Sequence, residues 1–315
     1  MIEFVDVLKL TGGIIYLVLG GDLLVRGAIS LARRNHISPA LIGLTIIALG
    51  TSAPEFVVSI LAAVSGHGGI TIGNIVGSNI ANVLLVLGVA AIVYPLKADK
   101  TSDISAAFML VVCGLFVAMC MLGSLGKIDG SLMLLFLGIS LFATLRSRFS
   151  ILNVEEDDPE DNRVLGLPNT PGFMWVFIVV GCIVMPVGAD LTVRSASIIA
   201  SDLGVGEAVI GASIVAFGTS LPELIATLIA TFHRHVDMAI GNLIGSNVIN
   251  ILAIMGLTTV ITDVPVPTSM LAFDLWFMLG CAALLWFLII RRIVIGRFLG
   301  ILFLAAYTSY VWVIY

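Results

Sequence analysis

Long apolar runs, broken at short polar intervals, dominate this chain. Taken between the breaks, they predict ten helices, over residues 8–31, 39–65, 70–95, 103–123, 128–148, 173–200, 205–231, 237–262, 271–290 and 295–314. Each is close to the ~20 residues that cross a hydrocarbon layer as a helix. Five lie on either side of one hydrophilic stretch, Ser150 to Gly172, which contains Glu155-Glu-Asp-Asp-Pro-Glu-Asp161. Such a stretch is too polar to pack and reads as a solvated linker. The organisation expected is a first half over 1–149, a linker over 150–172 and a second half over 173–315.

The pattern is interrupted at one place in each half. Ala48-Leu-Gly-Thr-Ser-Ala-Pro-Glu55 sits between apolar runs, so a carboxylate falls inside a span. Pro54 has no amide hydrogen and crowds the carbonyl four residues earlier, which predicts a kink or an unwound turn. The same stretch returns 168 residues later as Ala216-Phe-Gly-Thr-Ser-Leu-Pro-Glu223. Other segments keep that offset. Gly20-Gly-Asp-Leu-Leu-Val-Arg26 matches Gly188-Ala-Asp-Leu-Thr-Val-Arg194, and Gly73-Asn-Ile-Val-Gly-Ser-Asn79 matches Gly241-Asn-Leu-Ile-Gly-Ser-Asn247. Asn82 matches Asn250, so the halves align without a gap from Gly20 to Gly88. Five spans per half is an odd number, so the second half enters the membrane with the opposite polarity. The fold class expected is therefore an all-α integral membrane protein, its ten transmembrane helices forming two five-helix inverted-topology repeats, an architecture of alternating-access transporters.

Composition agrees with the pattern. The 315 residues are 59% hydrophobic and 11% charged, with mean hydropathy +1.16, against roughly 25% charged in soluble domains. The net charge of −5 says less than where the charges lie. Eleven of the fifteen Lys and Arg fall on alternate connections (Arg33, Arg34, Lys97, Lys100, Arg146, Arg148, Arg163, Arg234, Arg291, Arg292 and Arg297), against Lys9 and Lys127 on the other side. The positive-inside rule makes the first set cytoplasmic. This places the chain as a multi-pass protein of the cell (inner) membrane, with both termini outside and the linker inside. Glu3 and Asp6 precede the first apolar run, which therefore lacks the basic start of a cleaved leader. Cys113, Cys120, Cys182 and Cys281 lie in apolar segments without Cys-x-x-Cys spacing and suggest neither disulfides nor zinc. Membrane lipid is the expected surrounding. No basic patch points to nucleic acid, and no obligatory protein partner is evident.

The chemistry follows from the interruptions. Burying a carboxylate at membrane depth costs at least ~2.5–3.5 kcal/mol on insertion scales, and such groups are functional by default. Glu55 and Glu223, brought together by the repeat, repel unless a cation or a proton lies between them. Thr51, Ser52, Thr219 and Ser220 add hydroxyls, and hard oxygen donors around carboxylates suit Ca2+ or Na+. In the second motif Ser78 and Asn82 are four apart on one helical face. Its glycines allow close helix packing, so that motif alone is also consistent with packing only. Asp22 with Arg26, and Asp190 with Arg194, read as i,i+4 ion pairs.

The doubled motifs Gly50-Thr-Ser-x-Pro-Glu55 and Gly73-Asn-x-x-Gly-Ser78 resemble the paired alpha repeats of sodium/calcium exchangers in the calcium/cation antiporter superfamily, of the bacterial calcium/sodium antiporter type. Here they span 43–88 and 211–256. The resemblance implies a core of the second, third, seventh and eighth helices. It implies ligands for transported Ca2+ and Na+ at Glu55, Glu223, Thr51, Ser52, Thr219 and Ser220, with the carbonyls of Ala48 and Ala216, then Ser78, Ser246, Asn82 and Asn250. Many family members carry aspartate where this chain has Asn250, so two formal charges remain instead of three. That keeps Ca2+/H+ antiport, or K+-dependent exchange, open beside Na+/Ca2+ exchange. A passive channel is disfavoured because filters are usually built from subunit rings. An enzyme is disfavoured because no His-Glu-x-x-His or Ser/His/Asp set is evident. No cofactor is expected.

Overall fold

A computed structural model describes residues 4–35, 37–99, 102–148, 163–164, 167–168, 171–204 and 216–314. The chain opens with α1 (Phe4–Arg34), which places Asp6 in its first turn and Arg33 and Arg34 in its last, matching the helix dipole at both ends. Next come α2 (Pro39–Ile42), a π-turn at Gly43–Ile47, α3 (Ala48–Thr51) and α4 (Ala53–Val64). The bend between α3 and α4 is 48°. Its cause is local: Pro54 stands in the first turn of α4, and Ser52 leaves helical geometry at φ −79°, ψ 12°. Then follow α5 (Gly68–Ala81), a π-turn at Asn82–Val86, α6 (Leu87–Val93), α7 (Ser102–Cys120) and α8 (Lys127–Arg148).

The second part of the chain repeats these elements at the same spacing. After α9 (Pro171–Asp202) come α10 (Ala216–Thr219), α11 (Leu221–Phe232), α12 (Val236–Ile249), a π-turn at Asn250–Met255 and α13 (Gly256–Ile261). α3, α4, α5 and the start of the π-turn at Asn82 recur as α10, α11, α12 and Asn250, each moved by 168 residues. Ser220 also repeats the Ser52 break, at φ −84°, ψ 4°. The chain closes with α14 (Thr268–Ala272), α15 (Asp274–Ile290) and α16 (Arg297–Ile314).

Among the described residues, six helical segments are long and apolar enough to cross a membrane, or seven if the bent pair across Pro54 is one span. Ten were expected. Two further apolar helices, α11 and α15, are described over 12 and 17 residues. Residues 205–215, where the seventh predicted helix and the second motif (211–256) begin, lie outside the described residues. So does most of the acidic linker, of which Arg163–Val164 pairs antiparallel with Leu167–Pro168.

Two apolar clusters hold the bundle. One joins α5, α7, α12 and α15 through Ile75, Ile80, Met109, Phe116, Leu243 and Met278. The other joins α1 and α9 to the α2–α3 arm and α11 through Leu24, Val25, Ile47, Ile178, Met185 and Ala226. Very close helix crossings are possible only because the contact positions lack a Cβ. One added to Gly241 would collide with the Ala40 carbonyl, and one at Gly245 with that of Leu44. Large apolar side chains on the outside, among them Ile15, Leu19, Leu135, Phe142, Ile183 and Leu302, are exposed. On a water-facing protein such faces would be a liability; against acyl chains they are the expected surface.

Candidate functional site

The two Pro-Glu motifs meet at the centre of the molecule. Glu55 and Glu223 stand in the first turns of α4 and α11, where the N-terminal end of a helix favours negative charge. They are 0% and 1% exposed and lie within Coulombic reach of each other. The two motifs are joined directly, because the Ser52 hydroxyl donates to Glu223 Oε1 at 3.0 Å. Ser78 lies beside Glu55, and Thr51 lies beside Glu223.

Most of the remaining predicted residues are buried as well. Thr51, Ser52, Ser78, Ser220, Ser246, Asn82 and Asn250 are all buried, while Thr219 is half-buried. The Ala48 carbonyl accepts from the Ser52 amide at 3.1 Å and from the Thr51 hydroxyl at 3.4 Å, so its turn stays helical rather than opening. The bond lost at the break is the one Pro54 cannot donate to the Gly50 carbonyl. Ala216 begins α10. Asp22–Arg26 and Asp190–Arg194 form the two expected ion pairs, at 2.8 and 2.7 Å, away from this centre.

What the centre can do follows from its unpaired oxygens. Among the described residues, eight buried side-chain oxygens lack a hydrogen-bond partner. Seven belong to predicted site residues: both carboxylate oxygens of Glu55, Oε2 of Glu223, the hydroxyls of Ser220 and Ser246, and Oδ1 of Asn82 and Asn250. The eighth is Ser197 Oγ. A buried polar atom left unsatisfied costs about 1–3 kcal/mol, so seven on residues of the two repeated motifs call for partners that the protein itself does not supply. The seven are acceptors, or hydroxyls able to act as acceptors, which is what a cation requires. No group of three or more His, Cys, Asp or Glu occurs among the described residues. The donor set is thus two carboxylates with neutral oxygens, suited to hard cations rather than to metals that favour thiolate or imidazole. Two apolar cavities, of about 300 and 570 Å³, lie elsewhere and include none of these residues.

The structure also brings in residues not among the predicted ligands. Asn74 Nδ2 donates to Ser59 Oγ at 3.0 Å and to the Glu55 carbonyl at 3.3 Å. At the repeat-related positions, Asn242 Nδ2 donates to Thr227 Oγ1 at 3.1 Å, and its Oδ1 accepts from Thr51 at 3.5 Å. Asn79 and Asn247 bridge the two copies of the second motif. All four asparagines were visible within the repeated Gly-Asn-x-x-Gly-Ser-Asn motif. The available signal was that a buried amide must find partners, and only the fold shows which ones.

Comparison with known proteins places the whole chain. The family described as sodium/calcium exchanger protein matches residues 6–146 and 173–315. A protein of Alkalimonas amylolytica named as an antiporter, CaxA, is 36% identical over 96% of each chain. The sodium/calcium exchanger MaX1 of Methanosarcina acetivorans is 32% identical over 99% of each. A solved structure of the sodium-calcium exchanger NCX_Mj, soaked with zero Na+ and Ca2+, superposes over 100% of both chains with a TM-score of 0.84 at 32% identity.

Proposed function

The chain belongs to the sodium/calcium exchanger family, and on that premise we propose that it is a secondary active antiporter exchanging Ca2+ for Na+ by alternating access. Cation antiport, rather than enzymatic chemistry, is what membership of this family carries. The finer reading assigns Ca2+ and Na+ to the centre between Glu55 and Glu223. The hydroxyls of Thr51, Ser52, Thr219, Ser220, Ser78 and Ser246, the Asn82 and Asn250 amide oxygens and the Ala48 and Ala216 carbonyls complete the donor set. The observation that carries it is the set of seven unpaired buried oxygens, three on the two carboxylates and four on neutral side chains. Two buried negative charges require positive charge beside them, and Ca2+ and Na+ would compete for the same oxygens, which is the condition for exchange.

The reading extends to architecture: ten transmembrane helices in two inverted five-helix halves, 1–149 and 173–315, with both termini outside and the 150–172 linker in the cytoplasm. In support, α3–α5 recur as α10–α12 with the same internal lengths, and the lysines and arginines alternate in side. In the conformation described, the two glutamates are shielded from solvent, as alternating access requires between its open states. One observation favours a second reading. With Asn82 and Asn250 both amides, the centre holds two carboxylates, and two protons could replace one Ca2+ without further charge.

The test is uptake of radioactive Ca2+ into proteoliposomes loaded with Na+ and diluted into Na+-free buffer at clamped pH. Uptake driven by the Na+ gradient supports the proposal. Uptake driven only by a pH gradient moves the protein to Ca2+/H+ exchange, and flux that needs neither gradient removes alternating access.

A further inference from the structure

We propose that Asn79 and Asn247 are positioning residues that decide which end of the Asn82 and Asn250 amides faces the cation. An asparagine amide has two ends of nearly equal size, one an acceptor and one a double donor. Only the oxygen end serves a cation, since the NH2 end presents positive hydrogens to it. Packing alone does not choose between the two orientations; the hydrogen-bond network does.

That network closes on itself where α5 and α12 cross. Asn82 Nδ2 donates to Asn247 Oδ1 at 3.0 Å, and Asn250 Nδ2 donates to Asn79 Oδ1 at 3.0 Å. The two bonds are the same bond written in each half. Each leaves the Oδ1 of Asn82 or Asn250 unpaired and buried. The second pair is oriented in turn: Asn79 Nδ2 donates to the Asn247 carbonyl at 3.4 Å, and Asn247 Nδ2 to the Asn79 carbonyl at 3.5 Å. Their amides also contact Met278 Sδ and Met109 Sδ, at 3.8 and 3.5 Å. No member can turn alone. Rotating Asn82 sets its oxygen against Asn247 Oδ1, and rotating Asn247 sets its oxygen against the Asn79 carbonyl. All four side chains are at most 1% exposed, so water is not at hand to supply a missing donor.

The same arrangement acts on charge. A carboxylate at position 250 or 82 has no donor end and would press an oxygen against Asn79 or Asn247 Oδ1. In their present orientation these two residues therefore favour an amide over a carboxylate at both positions. This inference rests on the cation site proposed above and deepens it.

The experiment is Ca2+ binding to the purified full-length protein by calorimetry, with thermal unfolding recorded for each variant. Asn79→Ala, Asn250→Asp and their combination are compared with the wild type as a double-mutant cycle. With Asn250 present, Asn79→Ala is expected to weaken Ca2+ binding at least fivefold. With Asp at 250, the same substitution removes an oxygen facing a carboxylate and should leave binding unchanged or tighter. A purely structural role for Asn79 would weaken binding by the same factor in both backgrounds, and that result overturns the proposal while leaving the site intact. A wild type that binds neither Ca2+ nor Na+ removes the site and this proposal with it. The mirror cycle of Asn247→Ala with Asn82→Asp repeats the test in the other half, should an Asn79 variant fail to fold.

Discussion

At the residue scale, each glutamate already sits in a favourable local setting. Both occupy a helix first turn, and Ser52 reaches across from the other motif to Glu223. What they lack is a positive partner, and this makes them separable from the scaffold. Replacing either by Gln keeps the shape and removes one charge; loss of one partner in a buried charge pair costs about 2–5 kcal/mol, or ~30-fold or more in affinity. Glu55→Gln and Glu223→Gln should each abolish Na+-driven Ca2+ uptake in proteoliposomes while the proteins elute as folded species in detergent. Sustained uptake by both would move the site elsewhere. Ser52→Ala should act more mildly, since it removes one hydroxyl donor and leaves the carboxylate in place. A loss of about 1–1.5 kcal/mol, read as a several-fold weaker half-saturation for Ca2+, is expected, and an unchanged value would show that the Ser52 contact does not survive ion binding.

At the element scale, the sequence made the break legible because Pro54 and Pro222 have a fixed mechanical effect, and their recurrence at one spacing tied the two halves together. The two motifs that carry the proposed donors were legible for the same reason. The asparagine network was not, because partners 165 to 171 residues apart leave no trace in local periodicity. The π-turns at Asn82–Val86 and Asn250–Met255 were also invisible; they depend on packing and frequently mark functional positions. Of the ten predicted helices, six spans, or seven with the bent pair, are found among the described residues, and the start of the seventh predicted helix lies outside them. The crossing of α12 on the α2–α3 arm supplies an element-level prediction. Any side chain at Gly245 meets the Leu44 backbone carbonyl, which cannot rotate away as a side chain tip would. Gly245→Val should destabilise by about 1–3 kcal/mol as overpacking does, seen as a lowered thermal midpoint in detergent. Gly77→Val, at the repeat-related position where an added Cβ meets nothing within 4 Å, should be far milder. Equal loss at both would mean that the crossing does not limit stability.

At the scale of the molecule, the two apolar clusters divide labour. One encloses α5, α7, α12 and α15; the other fastens α1 and α9 against the arm and α11. α1 and α9 lie directly on each other, since a Cβ at Gly181 would stand 2.7 Å from the Gly20 carbonyl. A pair so closely joined would move as one body. Its contact with α11, where Gly21 faces Ile225 and Ile229, is apolar at these positions and can shift there without unpairing polar groups. The ion pair of Asp22 with Arg26 is internal to α1 and travels with it, while the His233–Asp22 contact at 3.5 Å is long and exposed. If exposing the glutamates to one side and then the other requires α1 to shift past α11, a covalent tie between them must stop transport. Cysteines at Gly21 and Ile225, in a background with the four native cysteines replaced, should lose Na+-driven Ca2+ uptake on oxidation and regain it on reduction. Ca2+ binding to the tied protein need not fall, because neither position supplies a ligand. Full transport by a fully cross-linked sample would place the moving boundary elsewhere, within the helices that carry the carboxylates.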